Sequence, residues 1–144
     1  MGEPLRPEDF VGYRLVRLAD RLGRRFAEDL APLGLTARQF SVLAVLAGNP
    51  GMTSAEIARA VLTTPQSTGP LLDQLAGRGL VERGGTRGRG RAAPVRPTPE
   101  GLRLLGLAGT RVAAQDAELR SRLGRQDTAG LLALLDRLED AVPD

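Results

Sequence analysis

The sequence predicts a mainly α-helical chain with one small antiparallel β-ribbon. Three observations carry that prediction. Apolar residues recur at helical spacing over both ends, helix-start signals repeat through the middle, and a single glycine-rich hairpin follows them. At 144 residues the chain fits a single module with a real hydrophobic core.

From Pro7 to Leu33 the residues Phe10, Leu15, Leu18, Leu22, Phe26, Leu30 and Leu33 recur at helical intervals with charges between them, which predicts one long amphipathic helix. Little chain precedes it, so its apolar stripe needs later helices or a second subunit as cover. The next helix opens with Leu35 at N′, Thr36 as N-cap, Gln39 at N3 and Phe40 at N4, a capping box with a hydrophobic staple. It is expected to stop near Gly48-Asn49-Pro50-Gly51. Met52, Thr53, Glu56 and Ile57 repeat the device and open a short helix to about Val61 or Leu62.

Thr64-Pro65 starts a third helix, because threonine accepts from a free backbone N–H and proline at N1 forfeits no helical bond. That helix should run to about Arg78, with Gly79 in a left-handed C′ position and Leu80 closing a Schellman motif. Leu80 to Arg83 reads as a strand. Residues 84 to 90 then hold four glycines and no apolar side chain, so the hairpin tip has nothing to bury. The returning strand, Arg91 to Arg96, is weakened by Pro94, which has no N–H for the ladder. Thr98-Pro99-Glu100 opens another long helix, expected to break at Gly124. A last helix from about Asp127 carries Leu131, Leu134, Leu135, Leu138 and Val142 on one face.

All 20 basic residues are arginine, and against 17 acids the formal charge is only +3. Its distribution says more than the total. Residues 78 to 103 hold seven arginines and two glutamates, a local net of +5. Such a concentration is the footprint of a nucleic-acid surface, or else a solvated arginine-rich loop. The chain has no cysteine and no histidine, which removes disulfides, thiolate chemistry and the commonest metal ligand and general base. Asp20, Glu28, Asp116 and Glu118 sit at ordinary helix-surface spacing, so no catalytic residue, metal or cofactor is nominated. No secretory apolar segment follows the start and no apolar run nears the ~20 residues of a membrane span. A soluble cytoplasmic protein without a membrane partner is expected.

A helix pair followed by a basic ribbon suits double-stranded DNA, since a helix enters the major groove while arginines reach phosphates or the minor groove. Gln66 is the foremost candidate for base reading, through bidentate pairing with adenine. Ser67 and Thr68 are candidates for base or phosphate contacts, with local capping as the alternative. Thr53 and Ser54 are placed to meet a phosphate at a helix N-terminus, or simply to cap it.

Over essentially the whole chain these elements resemble the MarR family of winged helix-turn-helix transcriptional regulators. Residues Leu33 to Leu46 resemble the family's second helix, Met52 to Ala58 its third, and Thr64-Pro65-Gln66-Ser67-Thr68 the start of its recognition helix. Leu71 to Arg83 resemble the end of that helix and the first wing strand, and Thr98-Pro99-Glu100-Gly101 the entry to the fifth helix. The resemblance implies a winged helix-turn-helix core at 34–98, an N-terminal dimerisation helix at 7–33 and C-terminal dimerisation helices at 99–144. Dimer contacts are then expected from Phe10, Leu15, Leu18, Leu131, Leu134, Leu135, Leu138 and Val142. It implies DNA contacts from Thr64, Pro65 and the residues after them, and a wing arginine, Arg91, entering the minor groove with Arg87 and Arg89 extending its reach.

Three departures stand out. Arg89 occupies the place where the family's wing carries an aspartate, Pro94 and Pro97 replace apolar residues of the returning strand, and Pro70 sits inside the recognition helix. A proline there deletes the bond to the Gln66 carbonyl, so a bend or a tight first turn is expected. The implied mechanism is a homodimer on a pseudo-palindromic promoter site, acting as a repressor and released by a small aromatic or lipophilic effector. Phe10, Tyr13, Phe26 and Phe40 would offer stacking, with core packing as the alternative, and Arg14 and Arg17 an anionic contact, with solvated helix-face charges as the alternative. An architectural DNA-binding protein without a sensing role, and a helical protein-interaction module, are the alternatives.

Overall fold

A computed structural model describes residues 5–84 and 93–142. The elements in order are a 3-10 turn at Pro7–Asp9, α1 (Val11–Leu30), a second 3-10 turn at Ala31–Leu33, α2 (Ala37–Gly48), α3 (Ser54–Ala60), α4 (Pro65–Gly77), β1 (Val81–Arg83), β2 (Val95–Pro97) and α5 (Pro99–Ala141). The chain divides into two units, Met1–Ala108 and Gly109–Asp144. No single helix among the described residues is long and apolar enough to cross a membrane.

In the first unit the expected long leading helix is cut at both ends. Pro7 starts a separate turn, closed where the Phe10 N–H donates to the Pro7 carbonyl at 3.1 Å, and Phe10 then takes an extended conformation ahead of α1. Pro32 lies in the second turn, which Gly34 terminates at φ 65; the Gly34 N–H bonds the Ala31 carbonyl and the Leu35 N–H that of Leu30. A left-handed residue at this place reverses the chain so that Leu35 turns inward.

The helix starts follow the sequence closely. Thr36 and Gln39 form a reciprocal capping box, and so do Thr53 and Glu56. Gln39 is buried, and its side-chain amide also reaches the Gln74 Oε1 at 3.4 Å, joining α2 to α4. At the end of α4 the Schellman motif is complete: the Gly79 N–H donates to Ala76 and the Leu80 N–H to Leu75, both at 2.9 Å, with Gly79 at φ 69. Leu75 and Leu80 are both buried beneath it.

β1 and β2 pair antiparallel, Val81 with Pro97, Glu82 with Arg96 and Arg83 with Val95. Met52 bridges Val95 from the other side, with the Val95 N–H donating to the Met52 carbonyl at 2.8 Å. The chain ahead of α3 thus covers the second edge of β2. Pro94 stays outside the strand and contributes only its carbonyl, which accepts from the Gly84 N–H at 2.7 Å, so its missing donor costs the ladder nothing.

α5 enters this unit by an unusually close approach. The Thr98 N–H donates to the Leu80 carbonyl at 3.0 Å, and the Thr98 hydroxyl donates to the Gly79 carbonyl at 2.6 Å while accepting from the Gly101 N–H at 3.0 Å. A Cβ on Gly101 would stand 2.0 Å from the Leu80 carbonyl oxygen, so only glycine fits. Leu104 and Ala108 then complete a core built on Leu30, Leu35, Val42, Leu43, Leu46, Ile57, Leu72, Leu75, Val81 and Val95.

The second unit contains the remainder of α5, broken at Gly124 (φ 81, ψ 168) where the sequence places the break. Thr128 donates to the Gly124 carbonyl at 2.7 Å and fastens the turn after the break. Among the described residues, no apolar side chain of this unit is buried; Leu131, Leu132, Leu134, Leu138 and Val142 are exposed.

Candidate nucleic-acid interface

The first turn of α4 is the exposed end of a well-supported helix. Its rear residues Leu72 and Leu75 are fully buried, while Thr64, Pro65, Gln66 and Ser67 face outward. Thr64 is the N-cap: its hydroxyl accepts from the Ser67 N–H at 3.2 Å and donates to the Ser67 hydroxyl at 3.0 Å. The Thr64 carbonyl accepts from both the Ser67 and Thr68 N–H groups, each at 3.1 Å. The Ser67 bond spans three residues, so the first turn is tightened as Pro70 suggested. α4 nevertheless runs on through Pro70 without interruption. The proline is exposed, as is Gln66, whose carbonyl loses its helical partner on the side open to water.

Thr68 requires a correction. The sequence points to it as a groove contact beside Gln66 and Ser67, but its side chain is fully buried and its hydroxyl donates to the Thr64 carbonyl at 2.8 Å. Thr68, Leu72 and Leu75 stand at helical spacing on the inward face, so the period of α4 sets Thr68 in the core.

Thr53 and Ser54 open α3, which packs against α4. Glu56 takes up the free groups of Thr53, accepting from its N–H at 2.7 Å and its hydroxyl at 3.0 Å. Those two bonds hold the Glu56 carboxyl below the ordinary glutamate range. The start of α3 is therefore closed by the chain's own carboxylate, and Ser54 beside it is half-buried.

Arginines counted together in the sequence have different work in the fold. Arg78 donates to the Gly34 carbonyl at 2.6 Å and to that of Leu33 at 3.4 Å, pinning the end of α4 to the turn before α2. Arg83 pairs with Asp73 at 2.9 Å, tying the base of the wing to α4. Arg103 forms a two-pronged pair with Glu100, which raises the arginine's pKa and lowers the glutamate's. Arg96 lies over Gly51 (φ 93), where a Cβ would meet the guanidinium at 3.3 Å. Arg87, Arg89 and Arg91 lie outside the described residues.

The turn into α4 carries two features that sequence reasoning missed. Arg38 of α2 donates to the Thr63 hydroxyl at 3.2 Å, and Leu62 takes a left-handed conformation with φ 52. The long-range arginine bonds left no local signal; the left-handed position went unseen because a leucine, not a glycine, fills it.

Among the expected dimer contacts, Phe10, Leu18, Leu131, Leu134, Leu138 and Val142 are exposed, and Leu15 and Leu135 are half-buried. Phe26 and Phe40 meet edge to face with centroids 5.4 Å apart, which places them in packing.

The sequence model of the MarR family matches residues 33–92, from the turn before α2 to a point between β1 and β2. The HTH-type transcriptional repressor Rv2887 of Mycobacterium tuberculosis is 34% identical over 128 residues, covering 89% of this chain and 92% of the relative. The chain belongs to the MarR family. This MarR-family fold superposes on the transcriptional repressor CouR bound to a 23-mer DNA duplex with a TM-score of 0.84 and 32% identity, covering 95% of this chain and 99% of CouR. CouR bound to p-coumaroyl-CoA gives a TM-score of 0.81 and 33% identity over 92% of this chain and 94% of the other.

Proposed function

We propose that this MarR-family protein is a sequence-specific, double-stranded DNA-binding repressor that works in the cytoplasm as a homodimer. The exposed first turn of α4, braced from behind by buried leucines and fixed to the wing by the Arg83–Asp73 pair, carries the reading. Gln66 is the base-reading residue, with Thr64, Pro65 and Ser67 positioning the helix start against bases and phosphates. Arg87, Arg89 and Arg91 supply the wing's minor-groove and phosphate contacts. The solved complex of CouR with a DNA duplex supports the DNA-binding reading.

The chain's function as one module rests on pairing: residues 7–33 and 99–144 form the dimer and flank a DNA-binding region at 34–98. Exposure of Leu131, Leu134, Leu138 and Val142, in a unit whose described apolar residues include none that is buried, supports a partner subunit there. Two such subunits present two α4 helices about one helical turn of DNA apart, which calls for a pseudo-palindromic site.

Release by a small effector completes the proposal. A groove of about 770 Å³ along the start of α1 is lined by Tyr13, Leu15 and Leu18 with Arg14, Arg17 and Arg21, and by the carboxylates Glu8 and Asp9, a mixture of apolar and charged groups suited to a small amphipathic compound. CouR's complex with p-coumaroyl-CoA supports an effector of that kind. Release follows only if the compound binds the DNA-incompetent arrangement better.

Selection of genomic fragments by the purified protein, followed by titration of a selected duplex against a scrambled one, tests the function. A regulator prefers the selected duplex by on the order of 1,000-fold or more at physiological salt. Equal affinities with a steep salt dependence would instead describe an architectural binder.

A further inference from the structure

Leu62 combines two unfavourable features at one position. It has φ 52, the only positive φ at a non-glycine residue among those described, and the residue is 90% exposed. A lone exposed leucine is ordinary on a protein surface. A bulky residue in the left-handed region is not, because its Cβ crowds the following carbonyl, a cost glycine avoids.

Two backbone hydrogen bonds hold the turn around it. The Thr63 N–H donates to the Ala58 carbonyl at 2.9 Å and the Leu62 N–H to that of Arg59 at 3.4 Å, the two bonds of a Schellman closure on α3. Beyond it, Arg38 holds the Thr63 hydroxyl and Thr64 begins α4. Leu62 therefore stands at a fixed place in the turn joining the two helices, two residues ahead of the N-cap of α4. Within the protein chain its exposed side chain offsets neither cost. Strain of this kind persists where the local structure enforces it and function uses it.

We infer that Leu62 is a specificity residue that makes apolar contact with a thymine 5-methyl group at the edge of the major groove. This inference rests on the DNA-binding reading of α4. The thymine methyl is the one apolar group that base pairs present in the major groove. A leucine adjoining the helix start complements the polar Gln66, Ser67 and Thr64, which recognise donors and acceptors instead. A glycine here would satisfy the turn and lose the contact.

The test uses the full-length protein, Leu62→Gly and Leu62→Asn, the second because asparagine also tolerates a left-handed φ. A duplex selected by the wild-type protein is compared with versions in which each thymine in turn is replaced by deoxyuridine, which removes only the methyl group. Both variants should unfold at no lower denaturant than wild type while binding the selected duplex on the order of fivefold to tenfold more weakly. At one thymine in each half-site, deoxyuridine should weaken the wild type by about the same factor and leave Leu62→Gly unaffected. If no thymine distinguishes wild type from Leu62→Gly, or if the variants bind as tightly as wild type, Leu62 is not a contact, although the regulatory reading stands. A wild-type protein that selects no duplex from a random library overturns both.

Discussion

We predict that Gly101→Ala destabilises the protein although it replaces a helical glycine by the strongest helix former. The new Cβ would lie 2.0 Å from the Leu80 oxygen and 3.0 Å from the Leu80 carbonyl carbon. To reach ordinary contact the start of α5 must withdraw by about 1 Å or more, because well-packed groups tolerate little overlap. That movement pulls on the Thr98 N–H bond to Leu80 and the Thr98 hydroxyl bond to Gly79. Losing both costs about 2 kcal/mol. Overpacking adds about 1–3 kcal/mol, and the helix propensity of alanine returns about 1 kcal/mol. The net loss is about 2–4 kcal/mol. Gly106→Ala, with nothing within 4 Å of its Cβ, is the control and should stabilise by about 0.5–1 kcal/mol. Urea unfolding of wild type and both variants at one fixed protein concentration measures the difference. A Gly101→Ala protein as stable as wild type would refute the contact between α5 and the turn after α4.

Other parts of the structure make separate predictions. The Glu56 carboxyl is held below its ordinary value of 4.5 by Thr53, so its stabilising effect is full above that value and is lost as pH falls through the lower folded-state pKa. Glu56→Gln should flatten the acid side of the stability profile, as followed by circular dichroism against pH; an unchanged profile would mean that the Glu56 carboxylate does not stabilise the start of α3. Pro70→Ala restores an N–H to the Gln66 carbonyl and should stabilise by about 1–3 kcal/mol in the same urea assay. A destabilised Pro70→Ala would mean that the tight first turn depends on the proline. Leu134→Glu with Leu138→Glu should give a monomer by sedimentation equilibrium and reduce DNA affinity by on the order of 100-fold as two-site binding is lost. A dimer that survives both substitutions would place the interface elsewhere.

What was legible in the sequence was local. Capping boxes at Thr36 and Thr53, the Thr64-Pro65 start and the Gly79-Leu80 closure each involve groups within a few residues, and local hydrogen bonding decides them. The long leading helix was read too generously, since apolar spacing continues through the two proline turns that interrupt it. Thr68 was misplaced because three adjacent polar residues give no indication of which one the helix turns inward. Arg78 to Gly34, Arg83 to Asp73 and Gly101 to Leu80 join distant positions, and charge or glycine content alone does not announce a partner. In each case the fold converts a residue of apparently general use into a specific fastening.

Base reading by the outward turn of α4 can be measured at single base pairs. The most direct measurement compares wild type and Gln66→Ala against a selected duplex and its single-base-pair variants. Gln66→Ala should lose about 1–3 kcal/mol on the selected duplex and cease to discriminate at one A·T pair in each half-site, while wild type retains that discrimination. Uniform weakening across all duplexes, or no weakening, would contradict base reading by Gln66.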